Sequence, residues 1–147
     1  MLVAVAVAVM LVIGLGTYGV IRLTGGSPDG GSGDGAGHGG SAVTADVEHP
    51  DVDWTSTAEA YDDKAGTTVG YSCPANGSIG TVWGSGPYTT DSSVCTAAVH
   101  AGKITLAGGG RVVIKIRPGE SSYEGTTQND IVTTSYDGYP WAFDIVS

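Results

Sequence analysis

The stretch YTTDSSVCTAAVHAG, residues 88 to 102, gathers Asp91, Ser92, Ser93, Cys95 and His100 in fifteen residues. A hydroxyl or thiol nucleophile, a histidine base and an orienting carboxylate are the parts of acyl-transfer chemistry. They work only within hydrogen-bond reach of one another. The same stretch also reads as a helix: Asp91 or Ser92 can cap its N-terminus, and Gly102 stands where a left-handed C-terminal residue is wanted. On a helix, Cys95 and His100 lie about 140° apart around the axis. Ser93 and His100 share a face but are about 10 Å apart along it. Neither pair forms a local dyad.

GxSxG, HExxH and CxxC spacings are absent, and the three histidines, His38, His49 and His100, are scattered. A lone histidine on an apolar helix reads as a satisfied structural group, so no catalytic residue and no cofactor is expected. The acidic group Asp46, Glu48, Asp51 and Asp53 lacks the DxDxDG spacing of a calcium loop and reads as a solvated charge run, with no metal site.

The elements around this stretch explain what it is for. Val94, Ala97, Ala98 and Ala101 fall at i, i+3, i+4 and i+7, a core-facing stripe that Cys95 and Val99 widen. Val94, Ala97, Ala98, His100 and Gly102 are therefore expected to belong to a buried structural helix. Short β-like runs surround it: 67–72, 78–84, 103–107, 111–117, 129–136 and 141–146. In RVVIKIR, Val112, Ile114 and Ile116 alternate with Arg111, Lys115 and Arg117, and Gly108–Gly110 and Pro118-Gly119 punctuate the run. The pattern predicts an α+β domain over 54–147, a short central helix wrapped by antiparallel β-sheets.

Two segments precede it. Residues 2–21, LVAVAVAVMLVIGLGTYGVI, are uncharged and apolar, and about 20 residues of helix match the roughly 30 Å hydrocarbon core of a bilayer. A cleaved signal peptide is the competing reading. The length, the absence of a basic n-region and the lack of a small-residue cleavage pattern favour a membrane anchor over 1–22. Residues 23–53 are rich in Gly, Ser and Asp and read as a disordered linker, a tether with a reach of about 30 Å. Two cysteines beyond such a segment suggest an exported domain with either one disulfide, Cys73 to Cys95, or two buried thiols.

The chain carries a net charge of −9, which argues against a nucleic-acid partner. Nine acidic residues and no Lys or Arg lie from Asp29 to Asp63, whereas the part from Lys64 onward is close to neutral.

CPANG (73–77), VWGSGPYTTDSSVCTAAVHAG (82–102), the triple glycine before a strand, and SSYEGTTQND (121–130) together resemble the LCCL domain family. The resemblance runs from about Trp54 to Val146. It implies a central helix wrapped by two β-sheets and a secreted or surface-displayed, non-catalytic module. The ligands it implies are lipopolysaccharide and other polysaccharides. The pattern of animal members, two bridges including a CPxxC pair, is broken here: Gly77 stands at the second position of that pair, and no cysteine precedes Cys73. A Cys73–Cys95 bridge would join members of two different bridges, so the family does not supply it. The single anchor and the Gly-rich tether look bacterial rather than animal.

The expected function is a membrane-tethered, extracytoplasmic module that binds a polysaccharide, lipopolysaccharide or another envelope component. The alternative is a non-catalytic protein-interaction module with a surface protein partner. Arg111, Lys115 and Arg117 could hold phosphate or carboxylate groups, or could be the solvated outer face of a strand. Tyr88, Tyr123, Tyr136, Tyr139 and Trp141 could stack on sugar rings or be core; the polar neighbours of Tyr123 and Tyr139 make these two the surface candidates.

Overall fold

A computed structural model describes residues 42–147, which belong to one compact unit. The apolar run 2–21 and most of the tether lie outside the described residues. Among the described residues no helix is long and apolar enough to cross a membrane.

The domain is mostly sheet, with one α-helix. In chain order the strands are β1 (Val47–His49), β2 (Thr68–Cys73), β3 (Tyr88–Thr89), β4 (Gly110–Pro118), β5 (Ser122–Tyr123), β6 (Thr127–Gln128), β7 (Ile131–Val132), β8 (Tyr136–Asp137) and β9 (Trp141–Ile145). The helix α1 is Val94–His100, and one 3-10 turn covers Glu59–Tyr61. Five strands form the main sheet in the order β1-β2-β4-β9-β3, and β5-β8 and β6-β7 are two-stranded ladders. Every pairing is antiparallel except β1 with β2.

All seven residues of α1 are buried. A helix that short is unstable alone and depends on tertiary packing. It packs in a core with Val69, Tyr71, Val112, Ile114, Ile116 and Phe143 from the sheet and Ile131 from β7. Its stripe of Ala and Val lets the sheet approach closely, and Gly102 takes φ +71° just past the end, as a left-handed helix terminus requires. Cys73 at the end of β2 is bridged to Cys95 on the helix, with Cα atoms 5.7 Å apart.

Several expectations give way. The linker was drawn to residue 53, but β1 pairs with β2 from Val47 to His49. Asp46 accepts hydrogen bonds from the backbone N–H and hydroxyl of Thr68, both at 2.8 Å. Gly70 leaves space that the Glu48 carboxylate fills, since the carboxylate lies where a Cβ would stand. His49 meets Tyr61 by a short hydrogen bond and packs on the Tyr71 ring. The acidic group 46–53 therefore works partly as framework: Asp53 accepts from the Thr55 amide at 2.8 Å, and Glu48 pairs with Arg111.

Residues 78–84 are not a strand. Their backbone is shared between the helix entrance and a single bridge to Thr134: Thr96 Oγ1 accepts from the Gly80 amide, Ser92 Oγ accepts from the Trp83 amide, the Ser93 amide donates to Thr81 O, and the Gly84 amide donates to Thr134 O. Residues 103–107 form turns whose Leu106 and Ala107 carbonyls accept from the Gly77 and Asn76 amides. The run 129–136 is broken by the left-handed pair Asn129-Asp130 and yields only β7 and the start of β8.

Candidate functional site

The opening stretch is a clasp. Neither Asp91 nor Ser92 caps the helix; Ser93 does, its Oγ accepting from the Thr96 amide at 3.2 Å and donating to Trp54 O at 2.7 Å. Asp91 accepts from Thr89 Oγ1. Cys95 is bridged, so it offers no thiolate. His100 is fully buried: its Nδ1 shares a hydrogen bond with the Tyr88 hydroxyl at 2.9 Å, and its Nε2 shares one with Thr126 Oγ1 at 3.0 Å. Its backbone carbonyl accepts from Asn129 Nδ2 at 2.9 Å. Burial holds the imidazole below its ordinary pKa, more than its hydrogen bonding restores it. A neutral imidazole with both nitrogens occupied organises the core and is not poised as a base.

Two of the three basic residues of β4 are ion-paired. Arg111 pairs with Glu48 and donates to Val43 O at 3.1 Å. Arg117 lies 3.1 Å from Glu120 and 3.6 Å from Asp144. Lys115 stands directly across the ladder from Asp144. Val113, on the same side of the strand by alternation, is fully buried and interrupts the row.

Tyr123, a surface candidate on its polar neighbours, is buried at 4% exposure. Its hydroxyl accepts from the Glu120 amide at 2.9 Å and donates to Tyr139 O at 3.3 Å, so it ties the chain entering β5 to the chain leaving β8. Tyr88 is likewise core, stacked on Phe143 with centroids 5.6 Å apart. Trp141 is half-buried and packs against the core.

Aromatic surface gathers elsewhere. Trp83 and Tyr136 rings are 5.2 Å apart at 52°, and Tyr136 and Tyr139 are 6.2 Å apart edge to face. Tyr136 is 43% exposed, while Trp83 and Tyr139 are half-buried and so hold the row from beneath. The loop before β3 positions Trp83 through its bridge to Thr134, and β8 with the turn after it carries both tyrosines. Desolvation raises the Tyr139 phenol pKa, and the carboxylates of Asp91, Glu59 and Asp62 raise it further. Asp91 also lines a cleft with the hydroxyls of Thr55, Thr57 and Thr81. The row offers flat apolar faces of the kind on which the C–H face of a sugar ring packs. Trp83 was not among the aromatic candidates in the sequence, because its meeting with Tyr136 is made only by the fold.

Residues 51–142 match the LCCL domain. The chain belongs to the LCCL family. Over 100 residues, 67% of this chain, it is 39% identical to Clotting factor C of Tachypleus tridentatus and to Limulus clotting factor C of Carcinoscorpius rotundicauda. A shorter match, 37% identical over 54 residues or 37% of the chain, is to Vitrin of Mus musculus. The chain spans about a tenth of the length of these relatives. Its LCCL domain is one helix against a five-stranded sheet with two small ladders, closer to a single main sheet than to the two sheets the resemblance implied.

Proposed function

We propose that this chain is a membrane-tethered, extracytoplasmic LCCL module that binds a glycan of a bacterial cell envelope on the aromatic row Trp83–Tyr136–Tyr139. The observation that carries the reading is Tyr136, exposed and held between two supporting aromatic rings. The apolar run 2–21 supports the tether, and the bridged cysteines support an oxidising compartment. Arg111 and Arg117, both ion-paired, and the buried Tyr123 are assigned to the framework rather than to ligand contact, whereas Tyr139 supports the row.

A second reading, a protein-interaction module at the cell surface, draws on Val132 and Ile79, which are 70% and 59% exposed. The two readings separate in one binding experiment. Full chain in neutral detergent is titrated with envelope polysaccharides and lipopolysaccharide, beside Tyr136→Ala and Arg111/Lys115/Arg117→Ser variants. Glycan binding lost in Tyr136→Ala and kept in the triple variant supports the aromatic row. Salt-sensitive binding lost only in the triple variant moves the site to β4. Absence of glycan binding turns attention to Val132 and Ile79.

A further inference from the structure

The surface at Tyr136 is a groove as well as an exposed ring. Tyr136 lines an open cleft of about 470 Å³ together with Ser122, Glu124, Ser135 and Asp137. Ser85, Pro87 and Glu120 line a second cleft, of about 320 Å³. Ser122, Tyr123 and Glu124 line both, so the two run into one another along β5. The ladder sets Ser122 across from Asp137 and Tyr123 across from Tyr136, so one groove crosses β5–β8 and continues to the loop before β3. Both volumes fall within the range of about 300–1,000 Å³ of small-molecule sites. Together they have room for more than one pyranose ring.

The walls carry hydroxyls and carboxylates, and neither cleft is lined by Lys or Arg. Glu120 is paired with Arg117 at 3.1 Å, whereas Glu124 and Asp137 have no ion pair among the described residues. Ser135 Oγ accepts from the Gly125 amide at 2.9 Å, which leaves its own proton available to donate. The described unit has the same sign: residues 42–147 hold thirteen acidic and five basic side chains, a formal net charge of −8. The close-to-neutral part from Lys64 onward is thus the wrong unit to count. Unpaired carboxylates repel phosphate and carboxylate groups within a Debye length, about 10 Å at 0.1 M salt. The same carboxylates accept the hydroxyls of an uncharged sugar as charge-assisted hydrogen bonds.

We propose that the glycan received at Tyr136 is an uncharged chain of several sugar units lying along this groove, and that Glu124 turns anionic chains away. The proposal rests on the aromatic-row reading and adds to it the length and charge of the ligand. Tyr136 belongs to both the row and the first cleft, so a ring packed on it continues into the groove. Glu124 lines both clefts, and a phosphate or carboxylate on the next sugar unit meets it in either one.

The test uses the full chain in a detergent without a sugar headgroup, followed by tryptophan fluorescence or calorimetry. The probes are dimers and hexamers of β-1,4-linked glucose and of β-1,4-linked N-acetylglucosamine, each hexamer with a counterpart oxidised to a carboxylate at every C6, and lipopolysaccharide. A neutral hexamer is expected to bind about tenfold tighter than its dimer and than its oxidised counterpart. Its affinity holds between about 50 mM and about 500 mM salt, while that of the oxidised hexamer rises as repulsion is screened. Glu124→Gln narrows the preference and Glu124→Lys reverses it. Glu124 is exposed, so both variants should keep the thermal midpoint. Tyr136→Ala abolishes binding.

A dimer that binds as tightly as its hexamer removes the groove and leaves the row standing. An oxidised hexamer that binds as tightly as the neutral one, or a preference unmoved in both Glu124 variants, removes the charge selection. Firm binding of lipopolysaccharide beside no binding of either neutral hexamer removes the uncharged chain. Binding that survives Tyr136→Ala removes the row itself, and absence of binding to every glycan removes both.

Discussion

The indole of Trp54 occupies the space that a side chain on residue 77 would need. An ideal Cβ at Gly77 would overlap the indole ring atoms, and Trp54 Nε1 donates to Pro74 O at 3.0 Å within the same turn. Trp54 is 5% exposed, so it has little room to move aside. The position at which the LCCL resemblance implies a second cysteine is Gly77 here; a buried ring from an earlier segment covers it, and CPANG is held by that packing.

Gly77→Ala is therefore expected to cost about 1–3 kcal/mol, the usual price of overpacking a close contact. The thermal midpoint should fall by roughly 4–8 °C per kcal/mol. Trp54→Ala should cost about 3–5 kcal/mol, and the double variant less than the sum, since the alanine methyl then enters the vacated space. Additive losses in chemical denaturation would show that the two sites do not touch.

Reducing Cys73–Cys95 opens a loop of sequence separation 22. The chain-entropy account puts the loss at about 3 kcal/mol. Urea midpoints with and without reductant, thiols titrated in parallel, measure it; unchanged midpoints with both thiols free would count against the bridge as a source of stability.

Acid should weaken the domain through His100. Its native pKa lies below the ordinary 6.5, so the unfolded chain takes up the proton first. The contribution is complete above pH 6.5 and is lost as pH falls through the depressed native value. Tyr88 and Thr126 are the groups that meet the ring, and neither supplies a compensating charge. A His100→Gln variant should show a flatter acid limb in stability against pH; an unchanged limb assigns acid loss to other groups.

Alkali should act through phenols. Burial pushes Tyr88 up to about 12 from its ordinary 10.0 and raises Tyr71 as well. Stability from these groups is complete below pH 10 and declines as pH rises through the native values. Tyr88→Phe, followed by absorbance of tyrosinate against circular dichroism, should shift alkaline unfolding upward in pH while costing the hydrogen bond to His100 at neutral pH.

Arg111→Ser should release Glu48 and speed amide exchange at Val47–His49 while leaving the midpoint of global unfolding nearly unchanged. Exchange rates that do not move would mean that the pairing with β2 and the Asp46–Thr68 bonds hold the strand without Arg111.

The helix and β4 were legible because each carries its period openly. Small residues recur every three or four positions from Val94 to Ala101, and Val112, Ile114 and Ile116 alternate with charges. The strand β1 was not legible, since three residues of Val-Glu-His at a sheet edge show no apolar period, and Gly and Asp upstream suggested a continuous tether. Residues 78–84 look like a strand, yet the partners of their amides are side chains of Ser92 and Thr96, which no pattern of hydrophobicity reports. Tyr123 was misplaced for a related reason. Its polar neighbours suggest surface, but its hydroxyl is satisfied inside by the Glu120 amide and Tyr139 O. Trp83 meets Tyr136 only through the fold, so the row had no local signature.

The parallel edge strand β1 also decides how the domain answers a pull. Tension along the chain upstream of Asp46 meets the Arg111 bond to the Val43 carbonyl and then β1, which is held by three paired residues, the Asp46–Thr68 bonds and Glu48–Arg111. Beyond it the load meets β2, which a covalent bridge ties to the helix. A pull applied at residue 42 is therefore expected to part this short edge strand from β2 before it loads the covalently tied core.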